Sequence, residues 1–331
     1  MIDENNPRLA VIGVGEVGRG WAALAASHGW AVAVFDTDSA ALHAAHDDIA
    51  GRVDRLADAG QADRDAADAG LAELRSGRSL LQAVADADWI IEAIPDDLAV
   101  KQRLLEQIEQ VARLKAVLTS SSSRLHASEL CGRLRRPERL LVAHPLMPVE
   151  LIPAVEVVPG PRTDPACTDD VRYWLRRLGK VPVLVQKEVR GNVTGRLQAA
   201  VWRELVQLVL DGVVDVKDLD AAVSLGPGVT WAAAGPGLTH VIGAGDRPLA
   251  VTLGATLTGF EEWWPTLARW EQLGPEERLR LARALEKAYG ARAADLREER
   301  AARLFRVLAA VEDAVTREED DGVRLVQPPS H

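Results

Sequence analysis

Short apolar runs alternate with longer amphipathic stretches over the first 190 residues. Runs that end at turn or helix signals predict β-strands, and they cover residues 9–13, 31–35, 89–93, 116–120, 139–143, 154–158 and 181–185. Apolar residues at helical spacing between them predict helices, for example over residues 18–28 and 98–114. This alternation predicts an α/β domain with a mostly parallel sheet that helices cover on both faces.

The pattern changes after residue 190, where the spacing becomes helical throughout. Leu197, Val201, Leu205 and Leu208 mark an amphipathic helix, and residues 276–315 are rich in Arg, Glu, Leu and Ala. No strand pattern occurs there. The sequence therefore predicts two domains, an α/β domain over residues 1–190 and an all-α domain over residues 191–331.

Composition and charge exclude several classes of protein. The net charge of −10 disfavours nucleic acid and anionic membranes as partners, since both attract basic surfaces. Cys131 and Cys167 lie far apart and fit no metal-ligand or redox spacing, so we expect reduced thiols and no metal site. Without an apolar N-terminal segment or an 18-residue apolar run, we expect a cytoplasmic protein.

A G-x-G-x-x-G pattern follows the first predicted strand and opens the first predicted helix. Gly13 allows the tight turn, Gly15 lets the backbone approach a pyrophosphate, and Gly18 lets the helix pack close to the sheet. Glu16 and Val17 begin the helix, whose free N–H groups and positive dipole end face the phosphates. We expect all five residues to bind a dinucleotide.

Asp36 selects the type of dinucleotide. It lies eighteen residues after Gly18, at the end of the next predicted strand, where a carboxylate accepts hydrogen bonds from the adenosine ribose. A carboxylate repels a 2′-phosphate, and no arginine follows to bind one, so NAD is favoured over NADP. The alternative is a glycine-rich turn without a ligand, which the strand–helix–strand context disfavours.

Three polar residues form a candidate catalytic group. Ser123 ends a run of four serines after a strand, and His144 follows another strand, so both lie at strand ends where α/β sheets bind ligands. Glu156 lies inside an apolar run, where a carboxylate needs a partner such as His144. Each has an alternative role: a turn or cap for the serines, a turn or core position for the histidine, and an exposed edge strand for the glutamate.

These motifs resemble the 3-hydroxyacyl-CoA dehydrogenase superfamily, and most of all its branch that contains L-gulonate 3-dehydrogenase (lambda-crystallin) and L-carnitine dehydrogenase. The resemblance covers roughly the first 240 residues, and it rests on residues 10–36, 91–101, 118–125, 142–158, 187–198 and 226–237. It implies a Rossmann-type NAD-binding domain followed by a helical domain that binds substrate and forms a homodimer.

The resemblance also implies roles for individual residues. His144 would be the general base that accepts the substrate hydroxyl proton, and Glu156 would fix the tautomer of its imidazole. Ser123 would hydrogen-bond the reacting oxygen. Glu92 and Lys101 match family positions near the nicotinamide end of the cofactor.

Two positions depart from the family pattern. Met147 and Gly195 each stand where the family usually has Asn. Asn192 lies three residues before Gly195, so on a helix it would share that face and replace the missing amide. Arg124 stands where the family has a small residue, and it would bind a substrate carboxylate or be a solvated surface residue. Arg196 opens the helical domain and is a further candidate substrate residue.

The resulting functional prediction is an NAD-dependent oxidoreductase that interconverts a 3-hydroxy acid, or an acyl derivative, and its 3-oxo form. One alternative substrate is a 3-hydroxyacyl thioester on CoA or a carrier protein. The alternative from another class is a non-catalytic NAD-binding protein, which Met147 and Gly195 keep open.

Overall fold

The computed structural model describes residues 6–315 and divides into two units. The first ends at Gly195 and the second begins at Arg196, whereas the boundary was expected at residue 190. The predicted second domain extends to residue 331, and residues 316–331 lie outside the described range. Among the described residues, no helix is long and apolar enough to cross a membrane.

The first unit is built on an eight-stranded sheet. Its strands are β1 (Leu9–Ile12), β2 (Val32–Phe35), β3 (Arg75–Ser76), β4 (Trp89–Glu92), β5 (Val117–Ser120), β6 (Leu140–Pro145), β7 (Ala154–Pro159) and β8 (Val181–Leu184). Their order is β3-β2-β1-β4-β5-β6-β7-β8. Neighbours pair in parallel except β6 and β7, which pair antiparallel. All the predicted strands are present, within two residues at each end.

Seven helices connect these strands. They are α1 (Glu16–Ser27), α2 (Ser39–Asp58), α3 (Arg64–Ala72), α4 (Leu80–Val84), α5 (Leu98–Val111), α6 (Ala127–Leu130) and α7 (Pro165–Arg177). One or two helices were predicted over residues 39–81, and the chain forms three. The reason is local capping, since the side chains of Asp38, Asp63 and Ser79 each accept a backbone N–H at a helix start.

Helices bury both faces of the sheet, as predicted. Side chains of α1, α2, α3 and α7 pack on one face, and those of α4, α5 and α6 pack on the other. The first face holds an aromatic cluster in which the rings of Trp21 and Trp30 contact Trp89 edge-on, and Trp174 stacks on it. Four of the nine tryptophans of the chain therefore belong to this core.

The second unit is helical from residue 196 to residue 315, with no strand in that range, as predicted. Its helices are α8 (Thr194–Leu210), which begins in the first unit, α9 (Val216–Leu225), α10 (Pro227–Ala244), α11 (Leu249–Trp263), α12 (Pro275–Tyr289) and α13 (Ala293–Val315). The helix α10 is kinked at Gly235, which has a φ of 71° and directly precedes Pro236.

Candidate active site

Four adjacent parallel strands bring the predicted site residues of the first unit to one edge of the sheet. The carboxyl ends of β1, β4, β5 and β6 are neighbours, because these strands pair in that order. They carry, respectively, the glycine loop, Glu92, the serine run and His144. Ligands of open α/β sheets bind at this edge.

The three glycines of the loop have distinct steric surroundings. Gly13 has a φ of +99°, and a Cβ there would lie 2.7 Å from the carbonyl oxygen of Ala93. A Cβ on Gly18 would lie 1.9 Å from the carbonyl oxygen of Gly13, so α1 packs directly on the loop. A Cβ on Gly15 would meet no atom within 4 Å. The loop is thus closed toward the protein and open in front of Gly15.

A cleft of about 590 Å³ lies in front of this loop. Six predicted cofactor residues line it, namely Gly13, Gly15, Glu16, Val17, Asp36 and Lys101, and so does the predicted catalytic residue Ser123. The carboxylate of Asp36 accepts hydrogen bonds from the backbone N–H groups of Val14 and Asp38 at 3.0 Å each. The open backbone at Gly15, the helix N-terminus and the carboxylate at the end of β2 together fit a dinucleotide with an unmodified ribose.

Glu92 and Lys101 form a buried ion pair behind the cleft. The Nζ of Lys101 lies 2.6 Å from Oε1 of Glu92 and donates to the carbonyl oxygen of Ile94. The same Oε1 accepts the N–H of Ile94, and Oε2 accepts the hydroxyl of Ser120 at 2.5 Å. Lys101 and Ile94 line the cleft, whereas Glu92 and Ser120 do not. The Glu92 carboxylate therefore accepts three hydrogen bonds inside the protein.

The four serines at residues 120–123, the first of which ends β5, divide into structural and open positions. The hydroxyl of Ser122 accepts the N–H groups of Arg124 and Leu125, which is the turn role that was considered for this run. The hydroxyl of Ser121 accepts the indole N–H of Trp21 at 3.0 Å. Ser123 is exposed and lines the cleft.

Arg124 lies beside the cleft with its guanidinium in solvent. Its side chain is 72% exposed, and Nε lies 3.4 Å from a carboxylate oxygen of Asp96. Asp96 lines the cleft and is also 3.4 Å from the Nζ of Lys101. The sequence analysis gave Asp96 no role in the site, and the residue that caps α5 is its neighbour Asp97.

His144 and Glu156 are directly opposite each other on the antiparallel strands β6 and β7. The Nδ1 of His144 lies 2.8 Å from Oε2 of Glu156. A carboxylate only accepts hydrogen bonds, so Nδ1 carries the hydrogen and the lone pair of the neutral ring is on Nε2. The imidazole is 13% exposed, whereas Glu156 is fully buried in a strand with neighbours on both sides. The edge-strand alternative for Glu156 is wrong.

Glu156 accepts three further hydrogen bonds from the start of α8. Its Oε1 accepts the backbone N–H groups of Val193 and Thr194 at 2.8 Å each, and its Oε2 accepts the Thr194 hydroxyl at 2.9 Å. Burial alone would raise the pKa of Glu156, but the bonds from His144, Thr194 and Val193 hold it below its ordinary value. Glu156 is therefore a carboxylate at neutral pH.

Asn192 does not occupy the position that the sequence suggested. The helix α8 begins at Thr194, so Asn192 lies in the turn before it, with a φ of +49° and a buried side chain. The expectation that Asn192 and Gly195 share a helical face is wrong, because Asn192 lies outside the helix. Its backbone has the left-handed conformation, which Asn adopts more readily than most residues. Sequence reasoning missed Thr194, although it directly precedes the unusual Gly195.

The loop between β6 and β7 is held by two buried basic side chains, Lys180 and Arg52. The Nζ of Lys180 donates to the carbonyl oxygens of Val149 and Ile152 at 2.6 and 2.9 Å. Burial lowers the pKa of Lys180 to about 7. Arg52 lies 2.9 Å from Glu150 of the same loop and 2.8 Å from Glu16. Arg52 thereby connects the loop after His144 to the first residue of α1.

Protein-family models match most of the chain. The model described as 3-hydroxyacyl-CoA dehydrogenase, NAD binding domain, matches residues 8–189. The model described as 3-hydroxyacyl-CoA dehydrogenase, C-terminal domain, matches residues 191–283. The chain belongs to the 3-hydroxyacyl-CoA dehydrogenase family. It is an NAD-dependent oxidoreductase that acts on a CH–OH group, which confirms the predicted family, enzyme class and cofactor.

Named relatives place the chain near the branch that its motifs resemble. It is 35% identical to an L-carnitine dehydrogenase of Bacillus cereus over 246 residues, which is 74% of each chain. It is 32% identical to an L-carnitine dehydrogenase of Nocardiopsis dassonvillei over 306 residues, or 92% of each chain. A 3-hydroxyacyl-CoA dehydrogenase of Gibberella moniliformis is 35% identical over 260 residues, 77% of this chain and 79% of the relative.

Solved structures share the fold. The structure of 5-formyl-3-hydroxy-2-methylpyridine 4-carboxylic acid 5-dehydrogenase, an NAD-dependent dismutase, has a TM-score of 0.77 and 28% identity and covers 94% of this chain and 99% of its own. The 3-hydroxybutyryl-CoA dehydrogenase of Escherichia coli has a TM-score of 0.59 and 28% identity, covering 78% of this chain and 53% of its own. The structures that this chain resembles are thus named for a free acid in one case and for a CoA thioester in the other.

The space in front of Gly15 yields a prediction about cofactor binding. We expect Gly15→Ala to leave the melting temperature within about 2 °C of the wild type, because its φ is −67° and no atom obstructs the methyl group. The methyl group takes the space that a pyrophosphate needs, so the Kd for NADH rises at least about tenfold. NADH fluorescence titration and thermal unfolding measure the two effects. Gly18→Ala is the contrast, and it lowers the melting temperature. Unchanged NADH affinity in Gly15→Ala would contradict the assignment of the loop.

Proposed function

We propose that this protein oxidises a small 3-hydroxy acid to the 3-oxo acid, and catalyses the reverse reduction, with His144 as the proton acceptor. The observation that carries the proposal is the 2.8 Å contact between Nδ1 of His144 and Glu156 at the carboxyl end of β6. That contact leaves Nε2 as the basic nitrogen of the ring. A general base needs its lone pair available to the proton that it abstracts.

Glu156 and Ser123 assist His144 in this proposal. Glu156 is ionised and fixed by its donors, so it sets the tautomer of His144 and stabilises the imidazolium that forms when the proton arrives. Ser123 is exposed in the cleft, at the end of the strand next to that of His144, and its hydroxyl hydrogen-bonds the reacting oxygen. When bound, NAD supplies the hydride acceptor.

The cofactor is held by the loop and the strand ends around it. The backbone at Gly13, Gly15 and Gly18 and the first turn of α1, at Glu16 and Val17, bind the pyrophosphate. Asp36 binds the adenosine ribose. Lys101 faces the nicotinamide end of the cleft, while Glu92, buried behind it, is a positioning residue that fixes the ammonium group.

Arg124 favours a free acid as the substrate. Its guanidinium is exposed beside Ser123 and makes only long contacts to Asp96, so two N–H groups remain able to bind a carboxylate in bidentate fashion. The branch that the chain resembles uses small free acids, and its L-carnitine dehydrogenases are close relatives. Arg196 and Asn192 are further candidate substrate residues; Arg196 is exposed, whereas the buried side chain of Asn192 suits an indirect role.

A second copy of this chain is the proposed partner of the helical unit. The helices α10 and α11 together carry only two charged residues, both near the end of α11. They expose large apolar side chains, including Ile242 at 64% and Val251 at 65%. Such a surface is typical of the core of a homodimer interface.

A cytoplasmic location is proposed as well, since Cys131 and Cys167 are both buried free thiols.

The first test removes the proposed base. We expect His144→Gln to lower kcat/KM by roughly 10² to 10⁴, because glutamine holds no lone pair of comparable basicity. The Kd for NADH stays unchanged, since the histidine lies outside the dinucleotide loop. NADH formation with a panel of 3-hydroxy acids is the measurement, and His43→Gln, an exposed histidine of α2, is the matched control. Full activity in His144→Gln excludes it as the base, and a wild type that binds NADH but oxidises no substrate supports the non-catalytic alternative.

The second test separates a free acid from a thioester. We expect Arg124→Met to raise the KM for a free 3-hydroxy acid about tenfold or more, with little change in kcat, because a uniform binding contact to the carboxylate is lost. Arg133, which is 49% exposed and lies 3.5 Å from Glu106, gives the control Arg133→Met. Wild-type activity with 3-hydroxyacyl thioesters but not with free acids would instead assign the thioester substrate.

The third test addresses assembly. We expect Ile242→Glu to convert the dimer to a monomer, because a charge in the apolar patch on α10 loses its hydration when two copies associate. Light scattering after size-exclusion chromatography gives the mass of each species. A wild-type mass near 35.7 kDa, that of one chain, would refute the dimer.

A further inference from the structure

The carboxylate of Glu156 is surrounded by hydrogen-bond donors on every side. An ionised carboxylate has about four acceptor positions, and four donors contact this one. Two of the donors are backbone N–H groups, and both of these bind Oε1. The two donors to Oε2 are side chains, the imidazole of His144 and the hydroxyl of Thr194.

We propose that Thr194 is a positioning residue for the catalytic pair, whose hydroxyl holds Oε2 of Glu156 in place against His144. This inference rests on the proposed function of His144. Thr194 belongs neither to the glycine loop nor to the cleft in front of that loop, and its hydroxyl lies 2.9 Å from the oxygen that also binds the imidazole.

The geometry explains why this hydroxyl matters despite the two backbone bonds. The N–H groups of Val193 and Thr194 fix Oε1, but combined changes in the side-chain torsions of Glu156 could still pivot the carboxylate about that oxygen and move Oε2. The Thr194 hydroxyl approaches the other oxygen from a fixed point on the backbone of α8. With both oxygens bound, Oε2 stays opposite Nδ1 of His144 in the register set by β6 and β7.

Burial makes the hydroxyl energetically significant as well. Glu156 is fully buried, so a lone pair of Oε2 that loses its donor has no solvent to replace it. The side-chain bond from Thr194 is one of the causes that hold the pKa of Glu156 below its ordinary value. A group with a depressed pKa contributes stability above its unfolded pKa and loses it as the pH falls through the folded value. Removal of the hydroxyl raises the folded pKa of Glu156 and shifts that loss toward higher pH.

The experiment compares Thr194→Val, which removes the hydroxyl at nearly constant volume, with Thr194→Ser, which keeps it. Both variants retain the backbone N–H groups that bind Oε1. The matched control is Thr119→Val, which removes another buried threonine hydroxyl, the acceptor for the indole N–H of Trp89 at 2.9 Å. The side-chain carboxyl of Glu156 is followed by ¹³C NMR during a pH titration, with Glu156→Gln used to assign its signal.

We expect Thr194→Val to move the Glu156 titration to higher pH and to lower kcat about tenfold, while the KM for NAD stays unchanged. Thr194→Ser restores both the titration and kcat, and Thr119→Val leaves the Glu156 titration where it is in the wild type. If Thr194→Val destabilises the fold because its added methyl group faces the carboxylate, Thr194→Ala removes the hydroxyl without placing a methyl group there.

Two outcomes would overturn the proposal. One is a Glu156 titration that is the same in Thr194→Val as in the wild type, because the hydroxyl would then not act on the carboxylate. The other is a titration that moves while kcat does not, which would leave Thr194 with a structural role only. The titration requires no turnover. If the wild type oxidises no hydroxy acid, the proposed function fails, while the NMR comparison still decides whether Thr194 holds Glu156.

Discussion

The buried charge of Glu156 constrains the first unit more than any other interaction in it. A carboxylate without water is stable only when its oxygens are hydrogen-bonded, and these oxygens find donors on two separate parts of the chain. The strand β6 must supply the imidazole, and the start of α8 must return to supply the N–H groups and the hydroxyl. The first unit accordingly continues to Gly195, past the end of the sheet.

Two different electrostatic environments lie next to each other at the carboxyl ends of the central strands. Behind the cleft, Glu92 and Lys101 are paired inside the protein, and the Glu92 carboxylate also accepts hydrogen bonds from the backbone N–H of Ile94 and the hydroxyl of Ser120. In front of Gly15 the backbone is open and no side chain obstructs the approach. The buried Glu92–Lys101 pair therefore lies behind an open surface of N–H groups, and free N–H groups at a helix N-terminus suit an anionic ligand.

Sequence patterns predicted the fold well because its main signals are local. The apolar runs predicted the longer strands and the glycine spacing predicted the loop. Each of these patterns involves residues that are close together in the chain. The strand β3 was missed because two residues, Arg75 and Ser76, are too short to show a period. The direct pairing of His144 with Glu156 also followed from residue types, because a glutamate within an apolar strand calls for a polar partner.

The features that the sequence did not reveal depend on backbone conformation and on distant contacts. The role of Thr194 arises only when residues 38 positions apart meet at Glu156. Asn192 was placed on a helix by its spacing, yet its left-handed backbone lies in the turn before that helix. The ion pairs of Arg52 could not be predicted either, because its partners Glu16 and Glu150 are distant in sequence and come together only in the folded unit.

The antiparallel register of β6 and β7 has a consequence for how this site tolerates insertions and deletions. Side chains along a strand alternate between faces, so a slip of one residue would turn Glu156 to the opposite side of the sheet, and a slip of two would move it by roughly 7 Å. Either slip would therefore break the contact between His144 and Glu156. The connecting loop, residues 146–153, is itself held by Lys180 and Arg52, so a change in its length would also cost these contacts.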